Sequence, residues 1–172
     1  MPYLSQVSAD PPAEAIKCVI IYENSAAGKA ARQFFERLDA EAGGNCASSC
    51  ELWNFRVLGI RSIRNEAARA ALAADVVVFA ISDAVQFPRQ VKEWIDLWLW
   101  LNERGRPAVV ALSTRANARN KGPILHLQAA ARRNNLSFFL HMATAPSAHV
   151  VIEEQSWANF MRETSGVSAL PG

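Results

Sequence analysis

A short polar stretch at residues 23–29 combines residue types that can hold a phosphate group. The hydroxyl of Ser25 can donate a hydrogen bond, Gly28 lets the backbone approach a ligand closely, and Lys29 supplies a positive charge. A helix is predicted to begin within this stretch, and the N–H groups at a helix start favour anions. The stretch lacks the glycine and the Ser or Thr that complete a Walker loop, so an ordinary capped turn is the alternative interpretation.

Positive side chains recur at two other places in the sequence. Arg115, Arg119 and Lys121 fall in one polar loop, and Arg61 and Arg64 follow the second predicted strand. If both groups lie at the same edge of a sheet, they favour an anionic ligand such as a phosphate or a nucleotide. The alternative is a solvated surface with scattered charges.

Strands and helices alternate along the chain, and they decide where these side chains lie. Short runs of apolar and β-branched residues predict five strands, at 18–22, 51–58, 75–82, 108–113 and 136–142. Apolar residues at helical spacing predict helices at 26–40, 63–74, 88–103, 123–135 and 153–162. The second strand has a partly polar face, which predicts an edge position, and Ser62 is expected to cap the helix after it.

The connections between the strands set the topology. Connections of a dozen or more residues predict parallel strands, and right-handed crossovers leave few arrangements. The sequence therefore predicts an α/β protein with a flavodoxin-like three-layer sandwich and a five-stranded parallel sheet in the order 2-1-3-4-5. In such a sheet the ligand lies at the carboxyl ends of the strands, where the order reverses. Here that point lies between strands one and three, beside loops 23–29, 82–88 and 113–122.

Length and composition predict one packed domain at 17–172, after an N-terminal arm at 1–16. Of the 172 residues 51% are hydrophobic, which is typical of a globular protein. The net charge of +2 comes without a dense basic stripe, so no nucleic-acid partner is predicted. No apolar run of about 18 residues and no secretion signal are present, so we expect a cytoplasmic protein with no membrane partner.

The cysteines and histidines predict no metal site. Cys46 and Cys50 lie three residues apart in a polar loop, where a redox pair or half of a metal site is one interpretation. Two unpaired thiols are the favoured interpretation, because no second Cys/His cluster completes a tetrahedral shell. Cys18 opens a strand and is predicted to be a small core residue. The three histidines lack metal-ligand spacing and are predicted to be structural or solvated: His126, His141 and His149.

Residues 91–98, Val-Lys-Glu-Trp-Ile-Asp-Leu-Trp, follow a proline-containing loop after the third strand. In this stretch, and in its length and element order, the chain resembles the NADPH-dependent FMN reductase family of flavodoxin-like proteins. Two loops depart from the family's pattern. The first keeps one serine, Ser25, of a serine-rich loop, and the third has a single late glycine, Gly122.

The resemblance implies a bound FMN, with its phosphate on Ser25, Gly28 and Lys29. It implies hydride transfer from NAD(P)H to the flavin and onward to a quinone, a dye or free flavin. The flavin carries that chemistry, so no catalytic side chain is predicted. The positions that would edge the flavin ring are Ala84, Val85, Gln86 and Phe87, with Ser113, Thr114 and Arg115 across from them. For Phe87 the alternative is a hydrophobic staple on the next helix.

The predicted helix after the third strand is apolar nearly all round, so it needs two packing partners. One face carries Val91, Trp94, Ile95, Trp98 and Leu101, and a different side carries Leu97 and Trp100. The sheet is one partner, and a second subunit is the expected other, since aromatic residues are favoured at interfaces. We therefore expect a homodimer through helix 89–103, which also matches the habit of the family. The alternative is that the C-terminal tail covers Trp100.

Two functions of different class follow from the sequence. The first is a flavodoxin-like NAD(P)H-dependent FMN oxidoreductase of the flavin or quinone reductase type. The alternative is a flavodoxin-like domain without strong flavin binding that acts as a non-catalytic binding or scaffold module for a small anionic ligand or a partner. The helix at 91–98 favours the first function, and the altered first and third loops favour the second.

Overall fold

The computed structural model describes residues 15–42, 48–103, 107–115 and 122–143. Strands and helices alternate through these residues, as predicted. The strands are β1 (Lys17–Tyr22), β2 (Ser49–Asn54), β3 (Val76–Ile81), β4 (Ala108–Ser113) and β5 (Phe138–Met142). The helices are α1 (Ser25–Glu41), α2 (Arg61–Ala73), α3 (Arg89–Leu101) and α4 (Gly122–Arg133), with a short 3-10 turn at Val57–Gly59.

All five strands form one parallel sheet in the order β2-β1-β3-β4-β5. The predicted fold class and strand order are confirmed, and so is the edge position of β2. Because the order reverses between β1 and β3, the helices that follow these two strands leave on opposite faces of the sheet. This separates the loops at the carboxyl ends of β1 and β3 and creates the place where ligands bind in sheets of this kind.

The central strands are apolar because both faces of the sheet are covered. Every residue of β3 and β4 is buried. One face packs against α2, α3 and α4 in a core that includes Phe79, Trp94 and Trp98. The other packs against α1 in a core that includes Ile20 and Phe35. The result is a three-layer sandwich.

The helix ends follow local chemistry. Asn24 precedes α1 in an extended conformation, and its side-chain oxygen accepts a hydrogen bond from the N–H of Ala27 at 3.0 Å. Such a cap satisfies one of the free donors at a helix start. After α4, Asn135 takes a left-handed conformation with φ of 54°, as residues that end helices often do. The predicted end of this helix is confirmed.

Two local predictions are wrong. The second strand was predicted to reach Leu58 but ends at Asn54, whose side-chain oxygen accepts from the N–H of Arg56 at 2.9 Å and turns the chain. Phe55 and Leu58 are buried, so their apolar character reflects core packing below the turn. Ser62 does not cap α2, because the helix begins at Arg61 without a side-chain cap.

Parts of the predicted arm, the predicted helix 153–162 and the C-terminal tail lie outside the described residues, so the domain limits stay predictions. Within the described part of the chain, no helix is long and apolar enough to cross a membrane.

Candidate functional site

A carboxylate lies where the order of the strands reverses. Glu23 follows β1 directly, and its side chain accepts hydrogen bonds from the backbone N–H of Ser82 at 2.7 Å and from that of Asp83 at 3.1 Å. The N–H of Glu23 in turn donates to the carbonyl of Ala80 at 3.0 Å. One residue therefore joins the loop after β1 to the loop after β3.

The loop after β4 is tied to the same place. The hydroxyl of Thr114 donates to the hydroxyl oxygen of Ser82 at 3.1 Å, and Arg115 forms an ion pair with Asp83. We call Glu23, Ser82, Asp83, Thr114 and Arg115 the switch-point network. The side chains of Asp83 and Arg115 are more than half exposed, so their ion pair contributes little to stability. Its effect is to bring a carboxylate to the guanidinium that was predicted to attract an anion.

The first-loop candidates divide into two groups. Ser25 and Lys29 are exposed at the start of α1, where a phosphate could reach them. Gly28 is buried, and a Cβ built on it would lie 3.0 Å from the ring of Tyr22. Its N–H donates to the carbonyl of Asn24 at 2.9 Å, within the helix. Gly28 therefore permits close packing between α1 and Tyr22.

The second-loop candidates differ in exposure. Ala84 is half-buried, Gln86 is exposed, and Val85 is 80% exposed, an unusual position for an apolar side chain at a loop tip. Phe87 is buried in the core. Its ring lies 5.7 Å from that of Phe55, measured between centroids, and 5.9 Å from that of Phe79. The sequence offers a hydrophobic staple on the next helix as the alternative for Phe87, whereas the observed ring contacts are with Phe55 and Phe79 of the core.

The start of α4 supports the second loop from one side. A Cβ built on Gly122 would lie 2.6 Å from the carbonyl oxygen of Val85. A real Cβ does not approach a backbone oxygen so closely, so the helix and the loop can touch here only because residue 122 is glycine. The late glycine of the third loop therefore sets how near α4 comes to residues 84–86.

The third-loop candidates turn partly inward. Ser113 is fully buried, and its hydroxyl lies 3.3 Å from both the N–H and the carbonyl oxygen of Arg115, with which it forms a local turn. Thr114 is half-buried and Arg115 is exposed. Of the other predicted positive charges, Arg64 donates to the carbonyl of Leu58 at 3.1 Å and lies 3.7 Å from Glu93. Arg119 and Lys121 lie outside the described residues.

The acidic members of the switch-point network were not predicted from the sequence. Glu23 is half-buried directly after β1, and Asp83 is exposed two residues after the end of β3. Their position alone is the available signal, because the carboxyl ends of neighbouring parallel strands lie side by side. Asn24 was missed as the cap of α1, although Asn is among the residues preferred there.

His126 lies against the core side of the second loop. Its ring packs edge-on against Phe87, with 5.9 Å between the centroids. Burial lowers the pKa of His126, and Lys92 and Arg133 add to that effect while Asp96 opposes it. A neutral imidazole is therefore favoured. Within residues 15–42, 48–103, 107–115 and 122–143, no group of three or more His, Cys, Asp or Glu side chains is placed to hold a metal ion.

Solved structures with the same arrangement identify the fold. A mutant flavo-di-iron protein from Thermotoga maritima aligns with a TM-score of 0.56 at 8% identity, over 89% of this chain but only 36% of its own. An oxidoreductase from Corynebacterium diphtheriae aligns with a TM-score of 0.54 at 14% identity, over 88% of this chain and 93% of its own. The fold is flavodoxin-like.

A third structure, an NADH:FMN oxidoreductase in its apo form, aligns with a TM-score of 0.52 at 15% identity, over 90% of both chains. At these identities the likeness concerns the fold alone. No protein-family model matches the chain, and no curated protein matches it in sequence. The flavodoxin-like chain spans about a third of the length of the flavo-di-iron protein. The other two thirds of that protein are not matched by this chain.

Proposed function

We propose that this chain binds FMN at the carboxyl edge of β1, β3 and β4 and acts as an NAD(P)H-dependent oxidoreductase. The observation that carries the proposal is the reversal of strand order between β1 and β3, which sets the start of α1 beside the loop after β3. The loop after β4 is tied to that loop through Ser82 and Asp83. The fold-level likeness to an NADH:FMN oxidoreductase over nearly the whole chain supports the same ligand.

The residues at this edge fit a flavin phosphate in part. Ser25 and Lys29 are exposed at the start of α1, where a hydroxyl, an ammonium group and helix N–H groups can meet an anion. Val85 and Gln86 are exposed on the second loop, and we propose that they edge the ring. The bound flavin would supply the hydride chemistry, and the chain would supply binding and orientation.

The remaining predicted residues shape the site and do not contact the phosphate in this proposal. Gly28 lets α1 pack on Tyr22, and Phe87 holds the second loop to the core. Ser113 shapes the turn that presents Arg115. Ala84 is half-buried between the exposed tip of the loop and the core, and Thr114 anchors the third loop to Ser82. We assign these residues to the shape of the site and not to direct contact with the phosphate.

A second function, a non-catalytic binding module, is favoured by the switch-point network. The carboxylate of Glu23 occupies two backbone donors at the point of strand reversal, and the guanidinium of Arg115 is paired with Asp83. Two carboxylates near a phosphate oppose its binding. If this effect dominates, the same edge serves a partner or a ligand other than FMN.

Titration with FMN separates the two functions. We expect the purified chain to retain FMN in equilibrium dialysis, and the Lys29→Gln variant to bind it about fivefold more weakly, since an exposed charge contact is worth roughly 1 kcal/mol. Riboflavin, which lacks the phosphate, serves as the matched ligand, because its affinity should not change in this variant. Oxidation of NADH or NADPH by the loaded protein, with a quinone as acceptor, then tests the enzymatic step. Failure to retain FMN at excess ligand would exclude the oxidoreductase function and would favour the non-catalytic binding module.

A further inference from the structure

Two cysteines lie opposite each other in the sheet. Cys18 of β1 and Cys50 of β2 are register partners in the parallel pair. Cys18 belongs to the core beneath α1, and Cys50 packs against that same core, so both side chains lie on the α1 face. Cys18 is buried and Cys50 is half-buried, and both are free thiols. The sequence placed Cys50 beside Cys46, which lies outside the described residues, and gave no sign of Cys18 as its neighbour.

The spacing of the strands brings these thiols within bonding reach. Neighbouring strands of a sheet lie about 4.8 Å apart. Disulfides span Cα separations of about 4.4–6.8 Å, so two register partners on one face satisfy the backbone requirement without a rearrangement of the sheet.

The two thiols differ in character. The thiol of Cys18 hydrogen-bonds to the sulfur of Cys50, which lowers the pKa of Cys50 and raises the pKa of Cys18. Burial raises the pKa of Cys18 further. Near Cys50, Arg32 of α1 also lowers its pKa, while partial burial and the carboxylates of Glu36 and Glu51 oppose the shift. Cys50 is therefore the more acidic thiol of the pair, and it is also the more exposed member.

We propose that Cys18 and Cys50 form an oxidation site that closes to an intrachain disulfide in response to a hydroperoxide. The Cys50 thiolate attacks the terminal peroxide oxygen, the O–O bond breaks, and Cys50 becomes a sulfenic acid. The other oxygen leaves as hydroxide or alkoxide, which takes up a proton to form water or an alcohol. The Cys18 sulfur then attacks Cys50, and its proton leaves with the displaced hydroxyl as water. Two thiols are oxidised and one peroxide is reduced.

The bond formed this way is readily reversed. Cys50 is half-buried on the edge strand β2, so a thiol reductant can reach its sulfur in the closed bond. A thiol reductant then restores the open pair.

The test uses the full chain carrying Cys46→Ser, so that Cys18 and Cys50 are its remaining thiols. After brief treatment with hydrogen peroxide, we expect the intact mass to fall by two hydrogen atoms. Proteolysis without reduction should yield one peptide pair that joins residues 18 and 50, and dithiothreitol should restore both thiols to alkylation. In the reduced protein, iodoacetamide should modify Cys50 at least tenfold faster than Cys18.

The control carries Cys46→Ser together with Cys50→Ser. Cys18 should then stay reduced and unmodified under the same treatment, because a buried thiol of raised pKa reacts slowly by itself. Differential alkylation of the unsubstituted chain repeats the measurement without any change to the fold. Oxidation of Cys50 to a sulfinic acid with Cys18 still free to alkylate would overturn the proposal. A Cys46–Cys50 disulfide in the unsubstituted chain would overturn it equally.

Discussion

Glu23 sets the charge at the point where the proposed anion would bind. Glu23 lies two residues before Ser25, where α1 begins, and its carboxylate accepts hydrogen bonds from the backbone N–H groups of Ser82 and Asp83. In Glu23→Gln the side-chain carbonyl can still accept one of these hydrogen bonds, while the like charge disappears. We expect FMN affinity to rise about tenfold, or ~1.4 kcal/mol, the scale of a like-charge interaction across a protein surface. Equilibrium dialysis of variant and parent measures this change.

Glu66→Gln is the matched control, because Glu66 is an exposed residue of α2 and its loss changes the net charge by the same amount. Equal gains in both variants would mean that net charge, and not the position of Glu23, opposes the flavin. Removing the acceptor altogether in Glu23→Ala should instead cost about 1–3 kcal/mol of the free energy of unfolding, since two N–H groups lose their partner.

Contacts between residues far apart in the chain could not be predicted from the sequence. Glu23 and Ser82 are separated by 59 positions, and no spacing in the sequence indicates that one binds the backbone of the other. The same holds for Cys18 and Cys50, which the register of β1 and β2 brings together. Composition can suggest Ser25 and Lys29 as anion ligands, but the pairing of Arg115 with Asp83 depends on how two loops meet.

The apolar pattern of the sequence predicts the central strands and fails where the chain turns. β3 and β4 are buried on both faces, and continuous apolar runs are their direct consequence. Phe55 continues the apolar pattern of β2 after the strand has ended, because a buried turn needs apolar residues as much as a strand does. Fold class and topology could therefore be predicted, while the exact end of β2 depended on the local hydrogen bond of Asn54.

Gly122 lets α4 contact the second loop of the proposed site. Its absent Cβ leaves room for the carbonyl of Val85, which a methyl group would approach to 2.6 Å. We expect Gly122→Ala to push the second loop away from α4 and to lower the free energy of unfolding by about 1–3 kcal/mol, the usual cost of overpacking. Urea unfolding measures the cost, and FMN titration shows whether the displaced loop alters binding.

Gly59→Ala serves as the reference substitution for this test. A Cβ at residue 59 would have nothing within 4 Å, so the change should be neutral or should stabilise the protein by about 0.5 kcal/mol through the unfolded chain. If the two variants unfold at the same urea concentration, the loop at Val85 moves aside without cost. In that case α4 does not position the loop.

Helix α3 has one buried face and one exposed face. Val91, Trp94, Ile95 and Trp98 are buried against the core, with the rings of Trp94 and Trp98 stacked 5.6 Å apart. Trp100 is 80% exposed and Leu101 is 37% exposed on the same helix. An exposed tryptophan beside another apolar residue is a frequent anchor of protein interfaces. This supports the homodimer proposed for helix 89–103.

Trp100→Ala tests the dimer. An interface anchor of this kind contributes about 2 kcal/mol or more, so we expect the dissociation constant of the dimer to rise roughly 30-fold in this variant. Sedimentation equilibrium across the micromolar range measures this constant.

Leu52→Ala is the control, since Leu52 is also exposed. It pairs with Ile20, whose side chain lies in the core on the α1 face of the sheet, so Leu52 lies away from α3. The parent should be a dimer, the control should match it, and the Trp100 variant should dissociate. A parent protein that sediments as a monomer at these concentrations would show that a second subunit does not cover α3. An equal rise of the dissociation constant in both variants would show that Trp100 is not the anchor of the interface.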